Sequence, residues 1–117
     1  MKEVVNERNG KTLVEKLEVA ESYKSRLVGL IGRKDLPEGN GLLIKRSGNS
    51  IHTFFMKFPI DLVFVNKSGQ VKYLVRDLKP WRMTVAPVFF QTDCLELPAG
   101  TIQKTNTQIG DTLLVKT

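Results

Sequence analysis

Apolar and polar residues alternate along much of the chain, the pattern of β-strands that turn one face towards a core. At the start, ranges 2–7 and 12–19 alternate in this way, and Asn9-Gly10 between them predicts a hairpin with a type I′ turn. The run 62–65 is apolar at every position, which predicts a strand covered on both faces. Other strands are predicted at 42–45, 51–55, 71–75, 93–97 and 112–116, with a short edge strand inside the connection 77–92. Residues 66–69 predict a four-residue hairpin loop between the strands 62–65 and 71–75.

One segment follows a helical period instead of the strand period. Its apolar positions lie four, seven and eight residues after the first, and they are Tyr23, Leu27, Leu30 and Ile31. We therefore predict one helix over about 21–31, closed by Gly32. A single helix cannot cover so many strands. The predicted fold class is therefore mainly β (α+β): a compact antiparallel β-barrel or two-sheet sandwich of about eight or nine short strands with one helix.

The size and composition are those of an ordinary globular domain. The chain has 117 residues, of which 41% are hydrophobic and 26% charged, and residues 1–117 are predicted to form a single domain. The net charge of +6 raises the question of an anionic partner. Basic residues outnumber acidic ones only 11 to 7 in residues 1–60 and 7 to 5 in residues 61–117, so they form no basic arm. Nucleic-acid binding is therefore disfavoured.

Cysteine and histidine are too scarce for several kinds of site. One cysteine, Cys94, excludes an internal disulfide, and one histidine with one cysteine disfavours a transition-metal site, so no metal or cofactor is predicted. The first residues have an acid and an amide, Glu3 and Asn6, where a signal peptide has its apolar core. No apolar run approaches the roughly 18 residues of a membrane span, so we predict no membrane insertion and a cytoplasmic location.

Six blocks of sequence, in order, resemble the bacterial and archaeal family known as domain of unknown function 192. They are RLVGLIGR at 26–33, GLLI at 41–44, the segment from His52 through Met56-Lys57 to Ile60-Asp61, LKPWR at 78–82, LELPAG at 95–100 and Gly110-Asp111. The resemblance implies a compact, mostly β single domain and implies no activity. One branch of the family has Trp-Met where this chain has Phe55-Met56, so a function tied to that tryptophan is not carried over.

The segment from His52 to Asp61 holds the first candidate site. His52 has the side chain whose usual pKa lies nearest neutrality, although a lone histidine in an apolar strand is more often a packed residue. If the segment is extended, alternate residues share a face. Thr53, Lys57 and Asp61 then lie opposite His52, Phe54, Met56 and Phe58. Lys57 and Asp61 would form either a surface ion pair or a polar patch.

Three other positions carry alternative interpretations. Cys94 is expected to be a small core residue. Glu96 lies among apolar residues and is expected to pair with an arginine, with a ligand-anchoring carboxylate as the second interpretation. Trp81 either folds back onto the core or, with Arg82, stacks on a sugar, base or peptide.

The leading hypothesis from the sequence is a non-catalytic ligand-binding or interaction module for a small molecule, a glycan or a peptide, of undetermined oligomeric state. Its candidate binding residues are Arg33, His52, Thr53, Lys57, Asp61, Trp81 and Arg82. The alternative is a small hydrolase or lyase in which His52 is the general base and Asp61 or Glu96 orients it. Nucleic-acid binding through the net positive charge is a weaker alternative.

Overall fold

The computed structural model describes residues 2–88 and 91–117, and in these residues ten strands form three sheets accompanied by two short helices. The strands are β1 (Glu3–Asn6), β2 (Thr12–Val14), β3 (Lys16–Ala20), β4 (Asn40–Ile44), β5 (Ser50–His52), β6 (Ile60–Val65), β7 (Val71–Leu78), β8 (Met83–Val85), β9 (Asp93–Pro98) and β10 (Leu113–Lys116). The helices are α1 (Tyr23–Val28) and α2 (Thr101–Thr105).

The sheets have the strand orders β10-β1-β2, β3-β4-β9-β6-β7 and β5-β8. The five-stranded sheet has a hydrophobic core on each face, so the architecture is sandwich-like, and the described strands do not close into a barrel. This confirms the sandwich alternative of the sequence analysis. The sequence analysis predicted about eight or nine strands and one helix, fewer than the ten strands and two helices of the structure. Three of the strands have only three residues, and α2 has five.

The central strand β6 is buried at all six positions, as its unbroken apolar run predicts. Ile60, Leu62 and Phe64 face one core, which also contains Leu30 from the turn after α1 and Ile51 from β5. Val63 and Val65 face the other core, beneath the β10-β1-β2 sheet. The polar exception on this strand, Asp61, is also buried and accepts backbone hydrogen bonds.

The amino-terminal hairpin is present, but its turn differs from the prediction. A type I′ turn needs positive φ at both central residues, and Gly10 has it (73°) whereas Asn9 does not. Instead Gly10 N donates to Asn6 O over 2.8 Å, and the loop is longer. The predicted strand 12–19 also divides at Glu15, where the chain passes from β2, paired with β1, to β3, paired with β4 in parallel.

Helix α1 is shorter than predicted. It begins after Ser22, whose side chain accepts from Ser25 N while the Ser25 hydroxyl accepts from Ser22 N, which is a capping box. It ends at Gly29 rather than Gly32, because Gly29 has φ 49° and ψ −124° and leaves the helical conformation. The early end has a structural consequence: it places Gly29 over the side chain of Glu96.

The segment 51–65 is not one extended strand, so the condition under which alternate residues would share a face is not met. The strands predicted at 51–55 and 62–65 correspond to β5 and β6, with different bounds. Strand β5 ends at His52, and β6 begins at Ile60 in another sheet. Between them Phe55 has a positive φ of 65°, which reverses the chain. Thr53 and Met56 are buried as a result, whereas their neighbours are largely exposed.

Candidate ligand-binding site

Three exposed aromatic side chains from two loops form a patch that we call the aromatic platform: Phe54, Phe55 and Trp81. The rings of Phe55 and Trp81 have centroids 4.7 Å apart, and those of Phe54 and Trp81 are 6.2 Å apart. His52 extends the patch, because its ring stacks on Phe54 at 4.9 Å. Phe55 is 62% exposed and Trp81 55% exposed, so Trp81 does not fold back onto the core.

Buried Thr53 joins the two loops that carry the platform. Its hydroxyl donates to Lys79 O over 2.6 Å and accepts from Arg82 N over 2.9 Å. Its backbone is also bonded to the second loop, since Thr53 N donates to Arg82 O and Trp81 N donates to Thr53 O. Thr53 was predicted as a ligand contact, and the structure places it beneath the platform as its support.

The backbone of the platform is held in an unfavourable conformation. Phe55 and Trp81 both have positive φ, 65° and 63°. Bulky residues rarely adopt this conformation, and each instance costs on the order of 1–3 kcal/mol. Such strain persists where surrounding contacts over-determine the backbone, and the hydrogen bonds that join Thr53 to residues 79–82 do so here. The aromatic rings are therefore displayed on a fixed backbone.

Glu96 occupies the middle of the five-stranded sheet. It is only 3% exposed, and its register partners are Leu42 on β4 and Leu62 on β6. Burial disfavours the charged form and raises the pKa of Glu96 to about 7, against the opposing effect of the nearby Arg33 charge. The same burial raises the pKa of Cys94, which is fully buried and confirmed as a core residue.

A cleft of about 310 Å³, which we call the Glu96 cleft, opens beside the platform. Helix α1 and the turn after it form one wall, and β4, β5 and the loop between them form the other. His52 lies on both features, because it lines the cleft and stacks on Phe54. The residues that line the cleft include Arg26, Gly29, Arg46, His52, Met56 and Glu96.

The expected pairing of Glu96 with an arginine is wrong. Arg33 donates to Glu18 Oε2 over 2.7 Å, and Glu96 forms no ion pair within the described part of the chain. Arg26 lines the same cleft, and its Nη1 donates to Arg46 O over 3.4 Å. Its Nε is buried without a hydrogen-bond partner among the described residues. The second interpretation of Glu96, a ligand-anchoring carboxylate, stays a prediction.

Asp61 is separated from the other candidates. Its Oδ1 accepts from Asp77 N, and its Oδ2 accepts from Gly100 N and Ile102 N, at 2.9–3.1 Å. The carboxylate thus fixes the turn before α2, and neither the predicted ion pair with Lys57 nor a hydrogen bond to His52 forms. Lys57 itself is exposed.

His52 has no carboxylate partner of the kind that a general base needs. Its Nδ1 accepts from Phe54 N over 3.2 Å, and no described Asp or Glu side chain hydrogen-bonds to the ring. Three or more His, Cys, Asp or Glu side chains arranged to hold a metal ion are not found in the ranges 2–88 and 91–117. Across those ranges no helix is long and apolar enough to cross a membrane.

Sequence reasoning missed three contributors to this site. Phe54 was placed on the apolar side of a strand, and neither Phe55 nor Arg26 was among the candidate binding residues. A doublet of aromatic residues breaks the strand alternation, and this was the available signal for Phe54-Phe55. Arg26 follows the helical polar face, so its position beside Glu96 depends on where α1 packs.

Comparisons with known proteins establish the family. The family model DUF192, described as Uncharacterized ACR, matches residues 4–115. This chain belongs to the DUF192 family. It is 32% identical over 114 residues to a UPF0127 protein of Thermococcus sibiricus, covering 92% of this chain and 71% of that protein. It is also 32% identical over 117 residues to a UPF0127 protein of Pyrococcus furiosus, covering 94% and 95%.

Two solved structures share the fold of this DUF192 member. A protein of unknown function from Novosphingobium aromaticivorans has a TM-score of 0.81 at 20% identity and covers 97% of this chain and 82% of its own. A putative transcription regulator from Sinorhizobium meliloti has a TM-score of 0.76 at 20% identity, with coverage of 98% and 94%. At this level of identity the similarity concerns the fold, and DUF192 itself carries no assigned activity.

Proposed function

We propose that this DUF192 domain is a non-catalytic glycan-binding module whose ligand stacks on the aromatic platform. The observation that carries the proposal is the exposure of Phe55 and Trp81 on a positive-φ backbone to which Thr53 is hydrogen-bonded. When the apolar face of a ligand covers an exposed aromatic ring, both surfaces are removed from water, and this lowers the free energy of the complex. A pyranose presents such a face of C–H groups with hydroxyls around its edge.

The surroundings of the platform favour a glycan over a nucleotide or a peptide. A nucleotide also stacks on aromatic rings, but its phosphates need converging cations or backbone amides. Arg33 is paired with Glu18, and Lys79 is paired with Asp77. Arg26 and Arg46, which line the adjoining cleft, form no ion pair among the described residues, but each already donates to a backbone carbonyl. The adjoining cleft instead presents Glu96, an acceptor suited to hydroxyl groups. An extended peptide would need side-chain pockets along a strand, and the platform is a compact cluster of rings.

Trp81 is the single tryptophan of the chain, so its fluorescence reports on the platform directly. We expect a saturable change on titration with neutral, amino or acidic saccharides of one to four units. Mononucleotides, short peptides and a duplex DNA serve as competing classes, the last because one structural neighbour is described as a putative transcription regulator. A response to a competing class alone, or to none of the panel, contradicts the proposal.

The variant Trp81→Ala, measured by calorimetry, is expected to lower saccharide affinity about tenfold, equivalent to about 1.4 kcal/mol. The matched control is Ile109→Ala, since Ile109 is 60% exposed and lies in the turn before β10 rather than on the platform. Equal affinity of the two variants would show that the ligand does not stack on Trp81.

Thr53→Val tests whether the platform must be rigid. Valine keeps the shape of the side chain but leaves Lys79 O and Arg82 N without the hydrogen bonds of the Thr53 hydroxyl. The loss is expected to cost on the order of 1–3 kcal/mol in stability. We expect saccharide affinity to fall together with hydrogen-exchange protection of the Trp81 amide. Thr53→Ser keeps the hydroxyl and is expected to retain most of both quantities. Unchanged binding by Thr53→Val would contradict the role of Thr53 as support.

A further inference from the structure

We infer that the Glu96 cleft is a hydroxyl-recognition subsite, in which Glu96 and the Nε of Arg26 together bind adjacent hydroxyl groups of one sugar ring. The inference rests on the proposed function in one respect: the same ring, or its neighbour in the glycan, is expected to cover the aromatic platform. It assigns to two residues of the fold a role in ligand selectivity.

The first support is an incomplete set of hydrogen bonds at the cleft. The Arg26 Nε–H is buried and meets no acceptor among the described residues. The Glu96 side chain is nearly fully buried and forms no hydrogen bond with another described side chain or backbone N–H, although its oxygens are not among the fully buried atoms without a partner. Unsatisfied buried polar groups are rare because each costs about 1–3 kcal/mol. A donor and an acceptor left open in the same cleft indicate a ligand that supplies both.

The second support is that Gly29, which has no side chain, lies beside the Glu96 carboxyl. A Cβ atom at Gly29 would lie 3.9 Å from Glu96 Oε1 and 4.0 Å from Arg26 O. The end of α1 therefore faces Glu96 with bare backbone, and this leaves room beside the carboxyl that a larger side chain would occupy. The cleft volume of about 310 Å³ is at the lower end of the range for small-molecule sites, which suits a single ring.

The chemistry of the two groups selects hydroxyls over charged ligands. A hydroxyl donates one hydrogen bond and accepts two, so one hydroxyl can donate to Glu96 while its neighbour accepts from Arg26 Nε. A raised pKa of about 7 means that Glu96 exchanges its proton near neutrality. A hydroxyl can satisfy both protonation states, by donating to the carboxylate or accepting from the acid. A carboxylate or an ammonium ligand fits only one of them.

The subsite is tested by NMR titration with the methyl glycosides of glucose, galactose and mannose. Three signals are followed: the Arg26 Nε–H, the Glu96 carboxyl carbon and the Trp81 indole N–H. The ring control is 2-methoxytetrahydropyran, which keeps the pyranose ring and lacks hydroxyls. We expect at least one glycoside to shift all three signals and the ring control to leave the two cleft signals in place. Equal shifts with the ring control would overturn hydroxyl recognition.

Two variants remove the polar groups while keeping side-chain volume: Glu96→Leu, which matches the neighbouring core, and Arg26→Met. Each is expected to weaken glycoside binding about tenfold, the loss for one or two hydrogen bonds to a charged group. Glu38→Leu is the matched control, because its carboxylate is 80% exposed and its partner is Lys104. Thermal unfolding identifies a variant that has lost its fold. The binding affinity of the other variant then tests the subsite.

The outcomes separate the subsite from the platform. If glycosides shift the Trp81 signal with equal affinity in wild type, Glu96→Leu and Arg26→Met, the subsite is refuted and the platform stands. If they shift the Arg26 and Glu96 signals but leave Trp81 unchanged, the subsite stands and stacking on the platform is refuted. If no signal responds to any glycoside, both proposals are wrong.

Discussion

At the scale of single residues, Glu96 is an ionisable side chain buried among apolar neighbours. A carboxyl between Leu42 and Leu62 destabilises the folded state once it is charged, because the interior solvates charge poorly. Nothing in the local sequence separates an exposed from a buried side chain at this strand position. The tertiary packing decides it, since one hydrophobic core covers each face of β9.

Glu96→Gln is expected to make stability less dependent on pH. The pKa is about 7 in the folded protein against 4.5 when unfolded, so the folded state holds its proton more tightly. Below pH 4.5 both states are protonated and there is no cost. Between these values the unfolded state ionises first and folding becomes less favourable, until the cost levels off above pH 7 at about 3 kcal/mol.

Urea unfolding at pH 4 and pH 8 measures this effect. Glu96→Gln should match wild type within about 1 kcal/mol at pH 4 and exceed its free energy of unfolding by about 2–3 kcal/mol at pH 8. Glu38→Gln, at an exposed position, should follow wild type at both pH values. A constant difference between Glu96→Gln and wild type across pH would show that the carboxyl is not buried in its charged form.

At the scale of elements, the loop of the β6-β7 hairpin contacts β10 directly. Gly69 has φ 82°, and a Cβ atom there would overlap the carbonyl oxygen of Leu113. Leu113 N also donates to Gly69 O over 2.8 Å. The loop therefore needs glycine for two separate reasons, conformation and close approach. The sequence indicated the hairpin, whereas the approach of β10 to its loop is a property of the assembled sandwich.

Gly69→Ala and Gly48→Ala separate these two reasons. Both glycines have positive φ, but a Cβ atom at Gly48 has nothing within 4 Å. Gly48→Ala should lose about 1 kcal/mol of stability through conformation alone, and Gly69→Ala about 2–3 kcal/mol more through overlap with Leu113. Thermal unfolding followed by circular dichroism gives both values. Similar losses in the two variants would mean that β10 does not press on the loop.

At the scale of the whole molecule, the two ends of the chain are joined through Asp111. Its carboxylate accepts from Asn6 Nδ2, Arg8 Nε and Gln108 N at 2.7–2.8 Å, next to the β1-β10 pairing. The hydrogen bond from Arg8, followed by those from Asn6 and Gln108, lowers the pKa of Asp111 to about 2. The network therefore stabilises the folded protein only while the Asp111 carboxylate is charged.

Lowering the pH should weaken the stabilisation that Asp111 gives to the folded protein. Because the pKa of Asp111 is lower in the folded state (about 2) than unfolded (3.8), its contribution is present above pH 3.8 and disappears as pH falls towards 2. Asp111→Asn should be destabilised at pH 7 and should lose less stability than wild type between pH 4 and pH 2. Asp35→Asn, at an exposed position, should follow wild type. Urea unfolding at pH 7, 4 and 2.5 distinguishes these outcomes, and parallel losses would contradict the role of Asp111.

The sequence by itself determined the β-rich class, the family, the double burial of β6, the β6-β7 hairpin and the core position of Cys94, because each follows from local periodicity or a short motif. Only the tertiary structure decided the parallel β3-β4 pair, the division of 51–65 between two sheets and the open polar groups of Arg26 and Glu96. These depend on contacts between residues far apart in the chain, and one positive-φ residue such as Phe55 redirects every side chain that follows it.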